Sequence, residues 1–186
     1  MMKSKMILLM GGQGVGKGTH ARALIERDGY GYVETGAILR ALPPKSRLAQ
    51  IIARGELVPD VDLFEIMSDA IDKNPGDIIM DGFPRTIGQA QWIVQKYADK
   101  YDIRVIYLNV PKEIMLARIQ KRIREGGGRA DDADDAIVRR RLDNFFKTTM
   151  PAIEWLRTVN GIKFSDINVD DEDFYVNFAR VSTALD

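Results

Sequence analysis

The 186-residue sequence contains no cysteine, only one histidine and no excess of charge of either sign. The absence of cysteine excludes disulfides, thiolate catalysis and cysteine-based zinc sites. Lys and Arg number 27 and so do Asp and Glu, which excludes a bulk electrostatic attraction to nucleic acid or to an anionic membrane surface. The apolar run 6–10 is shorter than the core of a signal peptide, and nothing approaches a membrane span. We therefore expect a soluble, cytoplasmic, single-domain protein that binds neither nucleic acid nor membranes. We also expect a monomer, although nothing in the composition determines the oligomeric state.

Short apolar segments alternate along the chain with longer amphipathic ones. The clearest predicted strands are 6–10, 78–80, 105–110 and 162–167, with a weaker one at 32–33. The first three are nearly continuously apolar, as expected of parallel strands that are covered on both faces. Predicted helices cover 17–27, 61–74, 86–100, 111–124, 134–155 (bent at Met150–Pro151) and 171–184. This alternation predicts one α/β domain in which helices cover both faces of a parallel sheet.

Two segments interrupt this alternation, and we expect both to form loops at the edge of the sheet. The first, 35–60, contains Pro43–Pro44 and two short helical patches. The second, 125–135, is rich in glycine and charge. Each is too short to be a domain, and loops in such positions commonly carry function.

The strongest motif is the run GGQGVGKGT at 11–19, directly after the first strand and at the start of a helix. Glycines allow the backbone to curl so that several N–H groups point inward, while the helix N-terminus and Lys17 add positive charge. This motif is a variant of the phosphate-binding loop, because Gly18 separates Lys17 from Thr19. We predict that it binds a polyphosphate. His20 follows it, and with no partner in view we expect a surface or partly packed helix residue rather than a base.

The segment DGFPRT at 81–86 follows a buried strand and leads into a helix. An arginine just beyond the carboxyl end of a strand is well placed to bind an anion, so Arg85 is a candidate. Asp81 at the strand tip could hold Mg²⁺, directly or through its water shell. Taken alone, the same residues could form an ordinary strand–turn–helix corner in which Asp81 is a local cap.

These motifs, together with four others in the same order, resemble the adenylate kinases within the nucleoside-monophosphate kinase family. The others are Thr35–Gly36 with Arg40, the run GELVPD at 55–60, the paired Arg118 and Arg122, and the run GRADD at 128–132 followed by Arg141. The resemblance implies a P-loop NTPase-type sheet of five parallel strands with an acceptor-binding insertion at about 34–58 and a short lid at about 121–132. The short lid lacks cysteine, so the zinc-bearing long lid of some relatives is not expected.

The resemblance also implies a role for each matching residue. The ATP-binding set is Gly14, Val15, Gly16, Lys17, Gly18, Thr19, Arg118 and Arg122. The AMP-binding set is Thr35, Arg40, Glu56, Leu57, Val58, Gly82, Arg85, Gln89, Arg129 and Arg141. The residues expected around the transferred phosphoryl group are Lys17, Arg85, Arg122, Arg129 and Arg141, with Asp81 holding Mg²⁺ through water.

The implied reaction is the reversible, Mg²⁺-dependent transfer of a phosphoryl group from ATP to AMP, which gives two ADP. No general base is required, because the attacking phosphate oxygen is already ionised, but positive charge must be concentrated in one cleft. Gln89 favours AMP, since its amide offers both a donor and an acceptor to an adenine edge. The alternatives are a UMP/CMP kinase of the same fold, or a nucleotide-binding sensor with weakened catalysis, to which Ala37 in place of the family's usual aspartate points. Asn168–Val169 replaces the usual Asp–Gly beside the donor base.

Overall fold

A computed structural model describes residues 3–54, 56–126 and 135–186 of the chain. Five strands form one parallel sheet in the order β2-β3-β1-β4-β5. The strands are β1 (Ser4–Met10), β2 (Gly31–Glu34), β3 (Ile78–Asp81), β4 (Tyr101–Asn109) and β5 (Lys163–Asn168). The prediction of a parallel α/β sheet of five strands is confirmed.

Helices connect and follow these strands. In chain order they are α1 (Lys17–Asp28), α2 (Thr35–Arg40), α3 (Arg47–Ala53), α4 (Asp60–Asp72), α5 (Ile87–Tyr97), α6 (Lys112–Arg124), α7 (Asp135–Asn144), a π-helical segment (Phe145–Thr149), α8 (Met150–Thr158) and α9 (Phe174–Thr183). The two helical patches expected within 35–60 are α2 and α3. Within the described residues, no helix combines the length and the apolar character needed to cross a bilayer.

The core lies on both faces of the central strands. Residues Met6–Met10 of β1 and all four residues of β3 are buried, because helices cover them on both sides. In the edge strand β5 only Ile167 is buried. On one face, Trp92 of α5 stacks on Phe64 of α4 with ring centroids 4.6 Å apart, which holds these two helices together.

The predicted single helix over 134–155 is interrupted earlier than expected. The π-helical segment occupies Phe145–Thr149, one turn before the predicted bend at Met150–Pro151, and its last hydrogen bond runs from the Met150 N–H to the Phe145 carbonyl. Pro151 has no N–H to continue the normal ladder and its ring crowds the preceding turn, so the backbone widens there. The helix then resumes as α8, with proline in its first turn.

The order of the strands determines where a site can form. From β1 the chain passes β3 to reach β2 at one edge of the sheet. From β3 it passes β1 in the opposite direction to reach β4. The loops after β1 and β3 therefore diverge, and a crevice opens between them at the carboxyl edge of the sheet. Crevices at such reversal points are the usual ligand sites of open α/β sheets.

Candidate active site

The loop after β1 has the backbone geometry of an anion cradle. Gly14 has a φ of +85°, and a Cβ there would lie 2.6 Å from the Met115 carbonyl oxygen, so a side chain would both strain and crowd the loop. Gly16, at a φ of +94°, caps the N-terminus of α1. Lys17 Nζ donates to the carbonyl oxygens of Gly11 and Gly12 at 2.8 and 2.9 Å. The positive end of α1 and the Lys17 ammonium group thus lie at the same place.

This loop forms one wall of a cavity of about 510 Å³ at the carboxyl edge of the sheet. Most of the predicted site residues line it: Gly14, Gly16, Lys17, Gly18, Thr19, Thr35, Glu56, Leu57, Val58, Asp81, Gly82, Arg85, Gln89, Arg118, Arg122 and Arg141. The volume is within the range of small-molecule sites. Sequence segments that lie far apart therefore converge on one cleft.

The cavity is electropositive although the whole chain is neutral. Six cationic side chains line it, against the carboxylates of Glu34, Glu56 and Asp81. The cations are Lys17, Arg22, Arg85, Arg118, Arg122 and Arg141. The expectation that a neutral chain concentrates its positive charge in one cleft is confirmed for the described residues, and such a field attracts polyanions.

Two predicted residues are described by the structure but do not line the cavity. Val15 is 1% exposed and packs beneath the loop, which leaves only its backbone for a ligand. Arg40 pairs with Glu34 at 2.8 Å and lies over Gly36, where a Cβ would come within 2.7 Å of its guanidinium group. Since Glu34 and Gly36 do line the cavity, Arg40 is adjacent to it. Its contact with an acceptor phosphate stays a prediction.

Arg129 and residues 127–132 of the predicted lid lie outside the described residues, as does Gly55 of the GELVPD run. Helix α7, which follows the lid, reaches the acceptor segment. Arg140 donates to the Arg54 carbonyl at 2.5 Å, and its guanidinium group is 3.9 Å from the Glu56 carboxylate. Arg140, whose side chain is half exposed, therefore links the helix after the predicted lid to the acceptor segment.

The wall of the cavity that follows β3 is built around the backbone of Arg85. Its N–H donates to Gln89 Oε1 at 2.7 Å, and its carbonyl accepts from Thr149 Oγ1 at 3.1 Å. Its Nε donates to the Gly82 carbonyl at 2.8 Å, which directs the guanidinium group along the loop. The Phe83–Pro84 peptide within this loop is cis. Thr149, in the π-helical segment, carries no sequence signal of this role.

Arg118 of α6, which also lines the cavity, donates to the Val169 carbonyl at 2.8 Å and lies 3.4 Å from the Asp171 carbonyl. Those bonds place its guanidinium group between the phosphate loop and the segment after β5. The carbonyl of Val169, in the pair Asn168–Val169, therefore already accepts a hydrogen bond from Arg118.

His20 is buried, contrary to the expectation of a surface or partly packed residue. Its side chain is 3% exposed and lies against Phe174 and Phe178 of α9, at centroid distances of 5.1 and 6.2 Å. Burial, with a smaller contribution from the Arg118 charge, lowers the pKa of His20 to about 4. The imidazole is therefore neutral in the folded protein at neutral pH.

We expect His20→Gln to flatten the pH dependence of stability. Between pH 6.5 and 4 the unfolded chain binds a proton at His20 while the folded chain does not, so the free energy of unfolding falls as the pH falls. The wild type should lose about 2 kcal/mol more than the variant between pH 7 and 4.5. Urea unfolding at both pH values measures this difference, because the carboxylates titrate equally in both proteins. Equal losses would contradict the burial argument.

Asp81 lies at the tip of β3, opposite Glu34 of β2 in the sheet register. It is 6% exposed, and Tyr32 donates its hydroxyl proton to Asp81 Oδ2 at 2.9 Å. Burial and the Asp81 charge raise the pKa of Tyr32 far above its ordinary value, so the hydroxyl remains a donor. Among the described residues, no three acidic, histidine or cysteine side chains form a metal-binding group. Asp81, which lines the cavity together with Thr19, thus offers a single carboxylate, which suits a cation that keeps most of its water or phosphate ligands.

The comparisons with known proteins agree with this geometry. Residues 9–160 match the family model for adenylate kinase. The chain belongs to the adenylate kinase family. It is similar to the adenylate kinase of Parvibaculum lavamentivorans, with 38% identity over 177 residues and 86% of each chain covered. The adenylate kinase of Bacteroides thetaiotaomicron is 34% identical over 171 residues, which cover 87% of this chain and 88% of that one.

A vertebrate relative is similar over nearly the whole length. Adenylate kinase isoenzyme 1 of Sus scrofa is 32% identical over 199 aligned positions, which cover 99% of this chain and 95% of the relative. The predicted family and enzyme class are thus confirmed: the protein is a phosphotransferase that acts on nucleoside monophosphates.

Proposed function

We propose that this protein transfers the terminal phosphoryl group of ATP to AMP, giving two ADP, and that it also catalyses the reverse reaction. The proposal rests on one observation: distant parts of the chain line a single cavity. They are the phosphate-binding loop with Lys17, Arg85 beside Gln89, and the arginines Arg118, Arg122 and Arg141. A donor triphosphate at the loop and an acceptor monophosphate near Arg85 would meet end to end between these cations.

The chemistry requires placement and charge rather than a base. An ionised oxygen of the AMP phosphate attacks the terminal phosphorus of ATP, the bond from that phosphorus to the β-phosphate oxygen breaks, and ADP leaves with the electron pair. The charge on the transferred phosphoryl group would be neutralised by Lys17, Arg122 and Arg141. Arg85 would hold the acceptor phosphate in line with the bond that breaks. A buried neutral His20 is consistent with this scheme, because no proton has to be moved.

Mg²⁺ would be held by the donor phosphates together with Asp81, through water, and the Thr19 hydroxyl. Bound there, the ion would neutralise part of the negative charge of the nucleotide phosphates. The donor set supports this arrangement, because a single carboxylate whose other oxygen accepts from Tyr32 suits an ion that arrives with the nucleotide. Zinc has no role in the proposal.

We also propose that the acceptor segment at about 34–58 and the lid at about 121–132 close over the substrates to exclude water, which competes as an acceptor. The contact of Arg140 with the Arg54 carbonyl and Glu56 supports this part, because it joins the helix after the lid to the acceptor segment. ATP, AMP and ADP are the proposed partners of a monomeric protein.

Incubation of the purified protein with ADP and Mg²⁺ tests the proposal directly. We expect ATP and AMP to form in equal amounts, and chelation of Mg²⁺ to reduce the rate by about 10²-fold or more. A panel of AMP, GMP, UMP and CMP with ATP as donor should show preference for AMP. Preference for UMP or CMP would identify a pyrimidine-nucleotide kinase instead, and tight nucleotide binding without turnover would identify a sensor.

A further inference from the structure

The amide of Gln89 is fixed in one orientation by two short hydrogen bonds. Its Oε1 accepts from the Arg85 backbone N–H at 2.7 Å, and its Nε2 donates to Asp60 Oδ1 at 2.7 Å. A flipped amide would place an oxygen against the Asp60 carboxylate and an N–H₂ group against the Arg85 N–H. Both contacts would then be repulsive, so the observed orientation is the one that satisfies both partners. The side chain is 1% exposed, which leaves it little room to escape.

Asp60 is well placed to act on Gln89 without touching a ligand. It is the first residue of α4 and does not line the cavity, whereas Gln89 does. Its second oxygen, Oδ2, lies 3.5 Å from the Thr86 hydroxyl, and a Cβ at Gly88 would come within 3.1 Å of that oxygen. The absence of a side chain at Gly88 thus leaves room for the carboxylate against the first turn of α5.

We propose that Asp60 is a positioning residue that sets the choice of acceptor base through Gln89, an inference that rests on the proposed function. After its bonds to Asp60 and Arg85, the Gln89 amide keeps one N–H and one oxygen lone pair for the cavity. A 6-aminopurine offers an acceptor at ring N1 beside a donor at the 6-amino group. A 6-oxopurine offers the reverse pattern, a donor at N1 beside an acceptor at the 6-oxygen. An amide that cannot flip can match only one of the two.

The arrangement also joins base recognition to phosphate binding. The Gln89 oxygen that fixes the amide accepts from the backbone of Arg85, whose side chain is the proposed ligand of the acceptor phosphate. A base that displaced Gln89 would therefore disturb the loop that carries Arg85. Asp60, which follows the acceptor segment at the start of α4, binds the other side of the same amide.

The test compares AMP with IMP, since their bases differ only at N1 and the 6-position. For Asp60→Ala we expect the ratio of kcat/KM for AMP to that for IMP to fall about 10-fold or more, mainly through a higher KM for AMP. The KM for ATP and the kcat at saturating AMP should change less than about threefold. Asp60→Asn should restore most of the ratio, because an amide oxygen at the same place can still accept from Gln89 Nε2.

Asp62→Ala is the matched control. Asp62 lies in the same first turn of α4 and pairs with Arg47 at 2.6 Å, so its loss removes the same charge from the helix N-terminus without touching Gln89. It should leave the AMP-to-IMP ratio unchanged. An equal fall of the ratio in both alanine variants would overturn the inference, as would a wild-type ratio that Asp60→Ala does not alter.

Equilibrium binding separates this inference from the proposed function. Calorimetric titration of the wild type and Asp60→Ala with AMP and with IMP gives the same ratio from dissociation constants, without any turnover. If the wild type does not transfer a phosphoryl group to AMP but Asp60→Ala still loses the binding preference, the proposed reaction fails and the role of Asp60 stands. If the wild type turns over AMP and Asp60→Ala binds the two nucleotides with the wild-type preference, the role of Asp60 fails alone.

Discussion

Lys17→Met should reduce kcat for the ADP reaction by about 10²- to 10³-fold while the protein remains folded. Methionine keeps most of the side-chain length but removes the ammonium charge from the cavity. The two carbonyl groups that Lys17 Nζ contacts belong to Gly11 and Gly12, which line the cavity, so water there can replace the lost bonds. Stopped-time assays of ATP formation with saturating ADP and Mg²⁺ measure the change.

The matched control is Lys163→Met. Lys163 begins β5 at the opposite edge of the sheet from the cavity, and its only described ion pair is with Asp102 at 3.7 Å. This variant makes the same change of side chain and of net charge, and we expect its kcat to remain within about twofold of the wild type. A loss in Lys17→Met no larger than that in Lys163→Met would remove Lys17 from the proposed mechanism.

Much of the fold could be predicted from the sequence because buried parallel strands have continuously apolar sequences. Residues 6–10 and 78–80 are buried on both faces, so every position had to be apolar and the strands were recognisable without periodicity. The sequence signal for the strand at 31–34 is weak, because the strand has only four residues and Val33 alone is buried. The sequence does not predict the π-helical segment. Pro151 indicates that the helix is irregular nearby, but the position of the irregularity at Phe145–Thr149 depends on packing that the sequence does not show.

The sequence predicts some residues of the candidate site and not others. Residues that follow strand ends in a motif, such as Lys17 and Arg85, were predicted because the carboxyl edge of the sheet brings them together. The supporting contacts were not predicted, since each joins chain segments far apart. Thr149 and Arg85 are 64 residues apart, Tyr32 and Asp81 are 49 apart, and Gln89 and Asp60 are 29 apart. A single sequence gives no measure of which distant side chains will meet.

The second large effect is expected at Arg85. Arg85→Ala should reduce kcat/KM for AMP by about 10²- to 10³-fold and leave the KM for ATP nearly unchanged, because we propose that its guanidinium group, which lines the cavity, binds the acceptor phosphate. We expect the substitution to leave the loop backbone in place, because the backbone N–H and carbonyl of residue 85 are hydrogen-bonded to Gln89 and Thr149 rather than to its own side chain. Initial rates with AMP varied at saturating MgATP give both constants.

Arg85→Lys distinguishes charge from geometry at this position. Lysine keeps the positive charge but cannot present two parallel N–H groups to one phosphate, so we expect it to recover less than about a tenth of the lost activity. Arg157→Lys, on α8 and paired with Glu154 and Asp166 away from the cavity, is the control for the same chemical change and should behave as the wild type. Near-complete recovery in Arg85→Lys would mean that position 85 supplies only a diffuse positive field. In that case the in-line placement of the acceptor phosphate would have to come from other groups, such as Arg40, which contacts the cavity-lining residues Glu34 and Gly36.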